Sequence, residues 1–454
     1  MEKSSTRDMT NGSPMKLILG FSVPLLFGFL FQQFYSVVNM IIVGRFLGVE
    51  ALAGVGSTGS VNFLIIGFCM GVCNGFAIPL AHKFGAKDFS GMRRFIANSI
   101  WLSILFAAVM TVATTLFCRP LLLLMRTPEN IFDDAYTYIF IIFIGIPATY
   151  LYNLLSGVIR AMGDSKTPLV FLTISSFLNI ILDLVFIVVC GLGVAGAAIG
   201  TIVSQMVSGI MCLLYIRKFS MLRIEKEEWK INLFHMKTLC IMGIPMGLQY
   251  SITAIGSVIL QSAVNTLGSG AVATVTAASK VSLFFCCPFE ALGAGIATYG
   301  GQNVGAKKLD RLGEGLKASI VLGIVYSVIA FVVLFFFGGH LASLFLDAGE
   351  THLITDARLF LIINSAFYIP LTFVNIVRFM IQGMGFSSFA ILAGVCEMVA
   401  RSLAGILLVP AFGFVAACFA SPLAWIFADL FLIPAYIHVR KKLGKMLVFS
   451  TADN

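Results

Sequence analysis

The 454-residue chain is 59% hydrophobic and 11% charged, with a mean hydropathy of +0.98. Soluble domains carry about 25% charged residues, so water cannot solvate this much apolar surface and lipid must, which excludes an ordinary soluble fold. The net charge of +9 admits nucleic acid as a partner only until the charges are placed along the chain.

Residues 1–16 are polar, and the apolar run after them is too long for the core of a signal peptide and has no convincing cleavage site. It reads as a first, uncleaved membrane helix, which places the chain in a cytoplasmic or plasma membrane. A spanning helix needs about 20 mostly apolar residues. Spans are predicted near 17–44, 52–80, 94–118, 135–160, 168–190, 194–216, 238–266, 271–299, 316–338, 357–381, 388–409 and 413–437. The runs lack the period-two alternation of a transmembrane barrel, so the fold class is an all-α membrane protein of twelve transmembrane helices.

The basic residues orient these spans. With the N-terminus cytoplasmic, the inside segments hold 23 Lys and Arg, and the outside loops hold Arg45, Arg119, Arg126 and Arg358. The inside set includes Lys3, Lys83, Lys87, Arg93, Arg94, Arg217, Lys230, Lys307, Lys308 and the group from Arg440 to Lys445. Both termini are therefore expected inside, and the basic balance needs no nucleic acid. The cysteines lie mostly in or beside apolar runs and form no disulfide framework. Cys69 and Cys73, four apart with no His or third Cys nearby, read as packing residues. The five histidines fall in or near loops without metal spacing. No Walker A, nucleophile elbow or HExxH pattern is present, so neither direct ATP use nor an enzyme is expected.

The chain repeats itself at a nearly fixed offset. Ser22-Val23-Pro24 corresponds to Gly243-Ile244-Pro245, 221 residues later. Gly85-Ala86-Lys87 recurs as Gly305-Ala306-Lys307, Gly145-Ile146-Pro147 as Tyr368-Ile369-Pro370, and Ala161-Met162-Gly163 as Gly383-Met384-Gly385. Gly193 to Ala198 matches Gly413 to Cys418. Six spans per half give both halves the same orientation, so the repeats are parallel. The expected division is a six-helix lobe over 1–216, a cytoplasmic linker over 217–237 and a second six-helix lobe over 238–454. Such symmetry favours a transporter. Both lobes lie in one chain, so a monomer is expected.

Six stretches resemble the multidrug and toxic compound extrusion family, on its DinF-like bacterial branch. They are QQFYSVVNMIIVGRFLG (32–48), PLAHKFGAKDFSGMRR (79–94), GVIRAMGDSKTP (157–168), NIILDLVFI (179–187), GLGVAGAAIGT (191–201) and GGQNVGAKK (300–308). The resemblance covers the whole chain. It implies two six-helix lobes that export amphipathic, often cationic compounds, driven by inward proton or sodium flow. Two departures stand out. Asn39 occupies the first-helix position where the family usually has Asp, and the region 245–257, PMGLQYSITAIGS, lacks the seventh-helix Glu of other branches. A mechanism that titrates a first-helix carboxylate thus lacks its usual acid here, and the sodium site carried by that Glu is expected to be absent. The fifth-helix Asp is retained as Asp183.

Ionisable groups in lipid are costly and therefore functional candidates. Four acids fall well inside spans: Asp183, Glu290, Glu397 and Asp429. Asp183 sits roughly 10 Å deep at 1.5 Å per residue, with Asn179 four residues earlier on the same face. Gln32, Tyr35 and Asn39 form a polar stripe on span one. These groups can hold a proton or Na⁺ for coupling. The alternative is a structural hydrogen bond joining Asp183 to Asn39 or Tyr35. Glu290, two residues after Pro288, either attracts a cationic substrate or carries a proton in a C-terminal cavity, or it pairs with Lys280 or a neighbouring helix. Glu397 and Arg401 have the spacing of an intrahelical ion pair. Asp429 is either a lobe–lobe contact or part of the C-terminal cavity.

The expected function is a proton- or sodium-coupled antiporter that exports organic, amphipathic and cationic compounds, without a cofactor. Two alternatives stand beside it. A lipid-linked oligosaccharide flippase would line its cleft with several basic residues, whereas only Lys280, Arg378 and Arg401 lie in or at the ends of spans. A channel or scaffold would conduct ions or transport nothing.

Overall fold

The computed structural model describes residues 6–125, 127–346 and 350–452, with side chains through Met446. Lys3 and Arg126, used above for orientation, lie outside them, as do the chain ends that bound the two expected lobes. Every regular element among the described residues is helical. In chain order these are α1 (Pro14–Leu47), α2 (Val49–Ser57), α3 (Gly59–Gly85), α4 (Phe89–Leu124), α5 (Glu129–Ile144), α6 (Ile146–Ala161), α7 (Lys166–Leu184) and α8 (Val194–Ile216). The second half holds α9 (Leu233–Asn265), α10 (Ser269–Gly305), α11 (Asp310–Ala342), α12 (Thr351–Ala366), α13 (Tyr368–Gly383), α14 (Ser388–Leu403), the short α15 (Val409–Phe412) and α16 (Phe414–Ala452). A π-helical turn extends α7 over Val185–Val189, and another extends α14 over Ala404–Leu408.

Helix dominates because hydrocarbon offers backbone groups no partner, so each segment must bond internally. Among the described residues ten helical segments are long and apolar enough to cross a bilayer, and two bent pairs bring the number to twelve if each pair crosses once. The bends explain where single predicted spans become two helices. The 135–160 run breaks at Gly145 with a 48° bend, and the 357–381 run breaks at Phe367 with a 51° bend. Pro147 and Pro370 stand just after these breaks; proline cannot donate to the preceding turn and its ring crowds it. The 52–80 run is likewise divided, into α2 and α3, at Thr58, whose hydroxyl donates to the Val55 carbonyl (2.7 Å).

The repeat extends to backbone detail. Lys87 and Lys307 are both left-handed at φ 58°, a conformation that non-glycine residues adopt at a cost. Both close the same helix end: the amide of Lys87 reaches the Phe84 carbonyl, and that of Lys307 reaches the Val304 carbonyl, each at 3.0 Å. Gly193 and Gly413 precede the sixth spans of the two halves at φ 60° and 63°, both with ψ −142°. The two π-helical turns and the two bends also correspond.

By compactness the chain forms two units, one of residues 1–8 and 27–247, the other of 9–26 and 248–454. The linker residues 217–237 thus belong to the first unit, as do the opening turns of α9. Backbone contact explains that membership: a Cβ on Gly71 would stand 2.7 Å from the Gly247 Cα, and one on Gly75 would stand 2.5 Å from the Gly243 Cα. In the second unit, Gly295 of α10 meets the Ser22 hydroxyl of α1 in the equivalent way. Small residues let helices approach closely where lipid supplies no hydrophobic drive. The core of the first unit gathers Cys69, Val72, Cys73, Phe76, Tyr150 and Leu154. Leu105, Val109, Val112 and Leu116 of α4 face outward, as a lipid-facing stripe does.

Candidate functional site

In the first unit, α1, α5, α7 and α8 converge on one acid. Asp183 lies in the last turn of α7 and is 0% exposed; Asn179, one turn earlier, is 1% exposed. Gly200 of α8 packs so tightly here that a Cβ on it would run into Oδ1 of Asp183 and come within 3.5 Å of the Asn179 amide. The Tyr35 hydroxyl lies 3.3 Å from the Thr201 hydroxyl, and the Asn39 amide donates to Tyr35 at 3.5 Å. Thr201 in turn donates to the Ala197 carbonyl (3.0 Å). The phenols of Tyr35 and Tyr138 are close enough to feel the Asp183 charge.

Unfilled valences define the chemistry of this cluster. Both carboxylate oxygens of Asp183, both amide atoms of Asn179 and Oδ1 of Asn39 are buried without a hydrogen-bond partner. Neither structural hydrogen bond considered for Asp183, from Asn39 or from Tyr35, is formed. Buried polar groups are normally satisfied. An isolated carboxylate in a low-dielectric interior costs far more than folding can supply, unless it is neutralised or paired. Oxygen-rich, hard donors of this kind suit a small hard cation, and a proton would serve the same end. The π-helical turn directly after Asp183 is a distortion that concentrates at functional sites.

Asp183, Asn179, Tyr35 and Asn39 therefore share one site, whereas Gln32 of the same α1 stripe is exposed. Thr201, Tyr138 and Gly200 join the site without having been singled out in the sequence. Thr201 ends the 191–201 stretch of small residues, and its hydroxyl after a Gly/Ala run was the available signal.

The second unit holds a different arrangement. Arg401 donates to Glu397 at 3.2 Å, as the spacing predicts, and Arg378 of α13 closes on the other oxygen of the same carboxylate. All three side chains are buried. Asp429 of α16 is half-buried and lies in the field of Arg378 and Glu397, with Oδ1 unpartnered. A basic group from another helix therefore accompanies it, although none stands near it in sequence. Glu290 is exposed on α10. Among the described residues no group of three or more His, Cys, Asp and Glu is placed to hold a metal.

A family model described as MatE matches residues 24–185 and 245–407. The probable multidrug resistance protein YpnP of Bacillus subtilis (strain 168) is 31% identical over 82% of each chain. Its counterpart YoeA from the same strain is 29% identical over 73% of each. Multidrug export protein MepA of Staphylococcus aureus (strain MSSA476) is 23% identical over 84% of each. Among solved structures, an outward-facing multidrug resistance MATE family transporter aligns with a TM-score of 0.89 at 21% identity, covering 98% of this chain and 99% of the other. A MATE in the bent conformation aligns with a TM-score of 0.87 at 22% identity, covering 98% of each. With that family match, the duplicated body of ten to twelve apolar helical spans among the described residues is that of a multi-pass membrane transporter, not an enzyme. The chain belongs to the MATE family of multidrug efflux transporters.

Proposed function

We propose that this transporter is a cation-coupled antiporter, exporting amphipathic cationic compounds by alternating access, with both termini cytoplasmic. Asp183 is its ion-binding residue. The observation that carries this reading is the fully buried Asp183 carboxylate with both oxygens unpartnered. Left charged and empty, such a group is costly; a proton or a sodium ion removes the cost. The ion therefore favours whichever conformation buries the carboxylate, and it shifts the equilibrium by its differential affinity for the two states. Asn39 and Tyr35 on α1 and Thr201 on α8 supply the adjoining dipoles. Asn39 is an amide, so Asp183 is the one carboxylate in the cluster and a single monovalent ion neutralises it.

The test is transport in liposomes with a proton gradient and a sodium gradient imposed separately, across a panel of fluorescent organic cations. Dye export against its own gradient under one of the two ion gradients supports the reading. Movement of dye that ignores both gradients contradicts it.

A further inference from the structure

On the linker side of the first unit lies a polar cavity of about 340 Å³. Its wall is built from the start of α4 (Arg94, Asn98), the short 3₁₀ turn Lys226–Trp229, the residues 230–232 that follow it and His235 in the first turn of α9. At about 30 Å³ per water, it has room for about ten waters, or for a small polar head group. We propose that it binds the phosphodiester head of an anionic phospholipid, whose acyl chains lie along the apolar rim beside it.

The wall is held in place by bonds that leave its acids committed. Glu228 takes two bonds from Arg93, at 2.7 and 2.8 Å, a third from Ser90 and a fourth from the Glu225 amide. Arginine holds its carboxyl far below the usual glutamate range, at about 2. Glu227 is paired with Lys230. The Asn98 side chain accepts from the Asn232 amide (2.9 Å) and donates to the Lys230 carbonyl (3.4 Å), and Asn232 caps α9 by accepting from Phe234 (2.9 Å). The acids of the wall are thus neutralised. The exposed Arg94 guanidinium forms no ion pair among the described residues, and Nδ1 of His235 is buried without a partner. What the cavity has to spare is the positive charge of Arg94, which suits a phosphate. A zwitterionic head would bring a quaternary ammonium for which no uncommitted acid is left.

Lipid, not a free phosphate, follows from the rim. Leu233 is 81% exposed and Phe234 70%, with Ile231 and Trp229 exposed beside them. The Trp101 indole donates to the Trp229 carbonyl (3.2 Å), and the two rings meet edge to face at 6.4 Å. Paired tryptophans next to a basic head-group site mark the membrane–water boundary. An anionic surface there is worth roughly 1 kcal/mol per basic residue, about a fivefold change in affinity.

The experiment is native mass spectrometry of the purified full chain with equimolar phosphatidylglycerol and phosphatidylcholine of matched acyl chains. The wild type is expected to retain phosphatidylglycerol preferentially. Arg94→Gln should reduce that preference about fivefold, Arg94→Lys should keep it, and Lys445→Gln, elsewhere on the surface, should leave it unchanged. Phe234→Gln, at an exposed rim position, provides an independent variant and should weaken retention of the lipid. A wild type without preference overturns the proposal. So does an Arg94→Gln chain that keeps the preference, or a Lys445→Gln chain that loses as much. Glycerol phosphate binding as tightly as the lipid and displacing it would make this a free-phosphate site and overturn the lipid assignment.

Discussion

Gly200 lies against the carboxylate of Asp183, with no room for a methyl group between α8 and α7. This pairing ties the transporter's buried acid to the shape of the neighbouring helix. Gly200→Ala should leave the protein folded, because alanine favours helix and a carboxylate can rotate. It should displace Asp183 from Asn179 and reduce ion-driven dye export. Overpacking of this kind costs about 1–3 kcal/mol. Thermal melting and export, measured side by side, check it; unchanged export would show that the contact is slack.

The arginine clamp on Glu397 yields a second prediction. Glu397→Gln leaves Arg378 and Arg401 buried without their counter-charge, which should destabilise the second unit by about 3–5 kcal/mol. Arg401→Gln should cost less, since Arg378 still closes on the carboxylate. Equilibrium unfolding in mixed micelles ranks the two variants, and the reverse order would contradict the clamp.

Close glycine packing separates two otherwise similar substitutions. Gly75→Ala must push against the Gly243 backbone and should destabilise by about 1–3 kcal/mol. Gly56→Ala meets nothing within 4 Å and should be neutral or gain up to about 1 kcal/mol from helix propensity. Melting temperatures of the two variants test the contrast.

The linker carries a pH signature. Arg93 lowers Glu228 from its ordinary 4.5 to about 2. The pair's stabilisation is therefore fully present above pH 4.5 and is lost as pH falls through about 2. Trp229 and Trp101 touch beside it, so tryptophan fluorescence in a Trp425→Phe background should change across that acid window. Glu228→Gln should abolish the change; a transition that survives the substitution belongs to another group.

Much of this was legible in the sequence, for identifiable reasons. Hydropathy marked every spanning run, because lipid imposes length and apolarity on each. Rarity marked Asp183, and four-residue spacing placed Asn179 beside it. Hydropathy runs unbroken through Gly145 and Phe367, so the bends could not be read from it, although the prolines after them were visible. Gly200 of α8 lies against Asp183, Thr201 of α8 meets Tyr35 of α1, and Arg378 of α13 reaches Glu397; such contacts between helices leave no local periodicity. Gln32 shares the spacing of Tyr35 and Asn39 yet is exposed, because spacing sets a face of α1 and neighbouring helices decide how far along it burial extends.

Asp183→Asn in liposomes tests the central claim most directly, with dye counterflow and ion-gradient-driven export measured on the same preparation. The account predicts that the amide keeps counterflow and abolishes gradient-driven export, while Glu290→Gln retains both. Gradient-driven export by Asp183→Asn at the wild-type rate would contradict it.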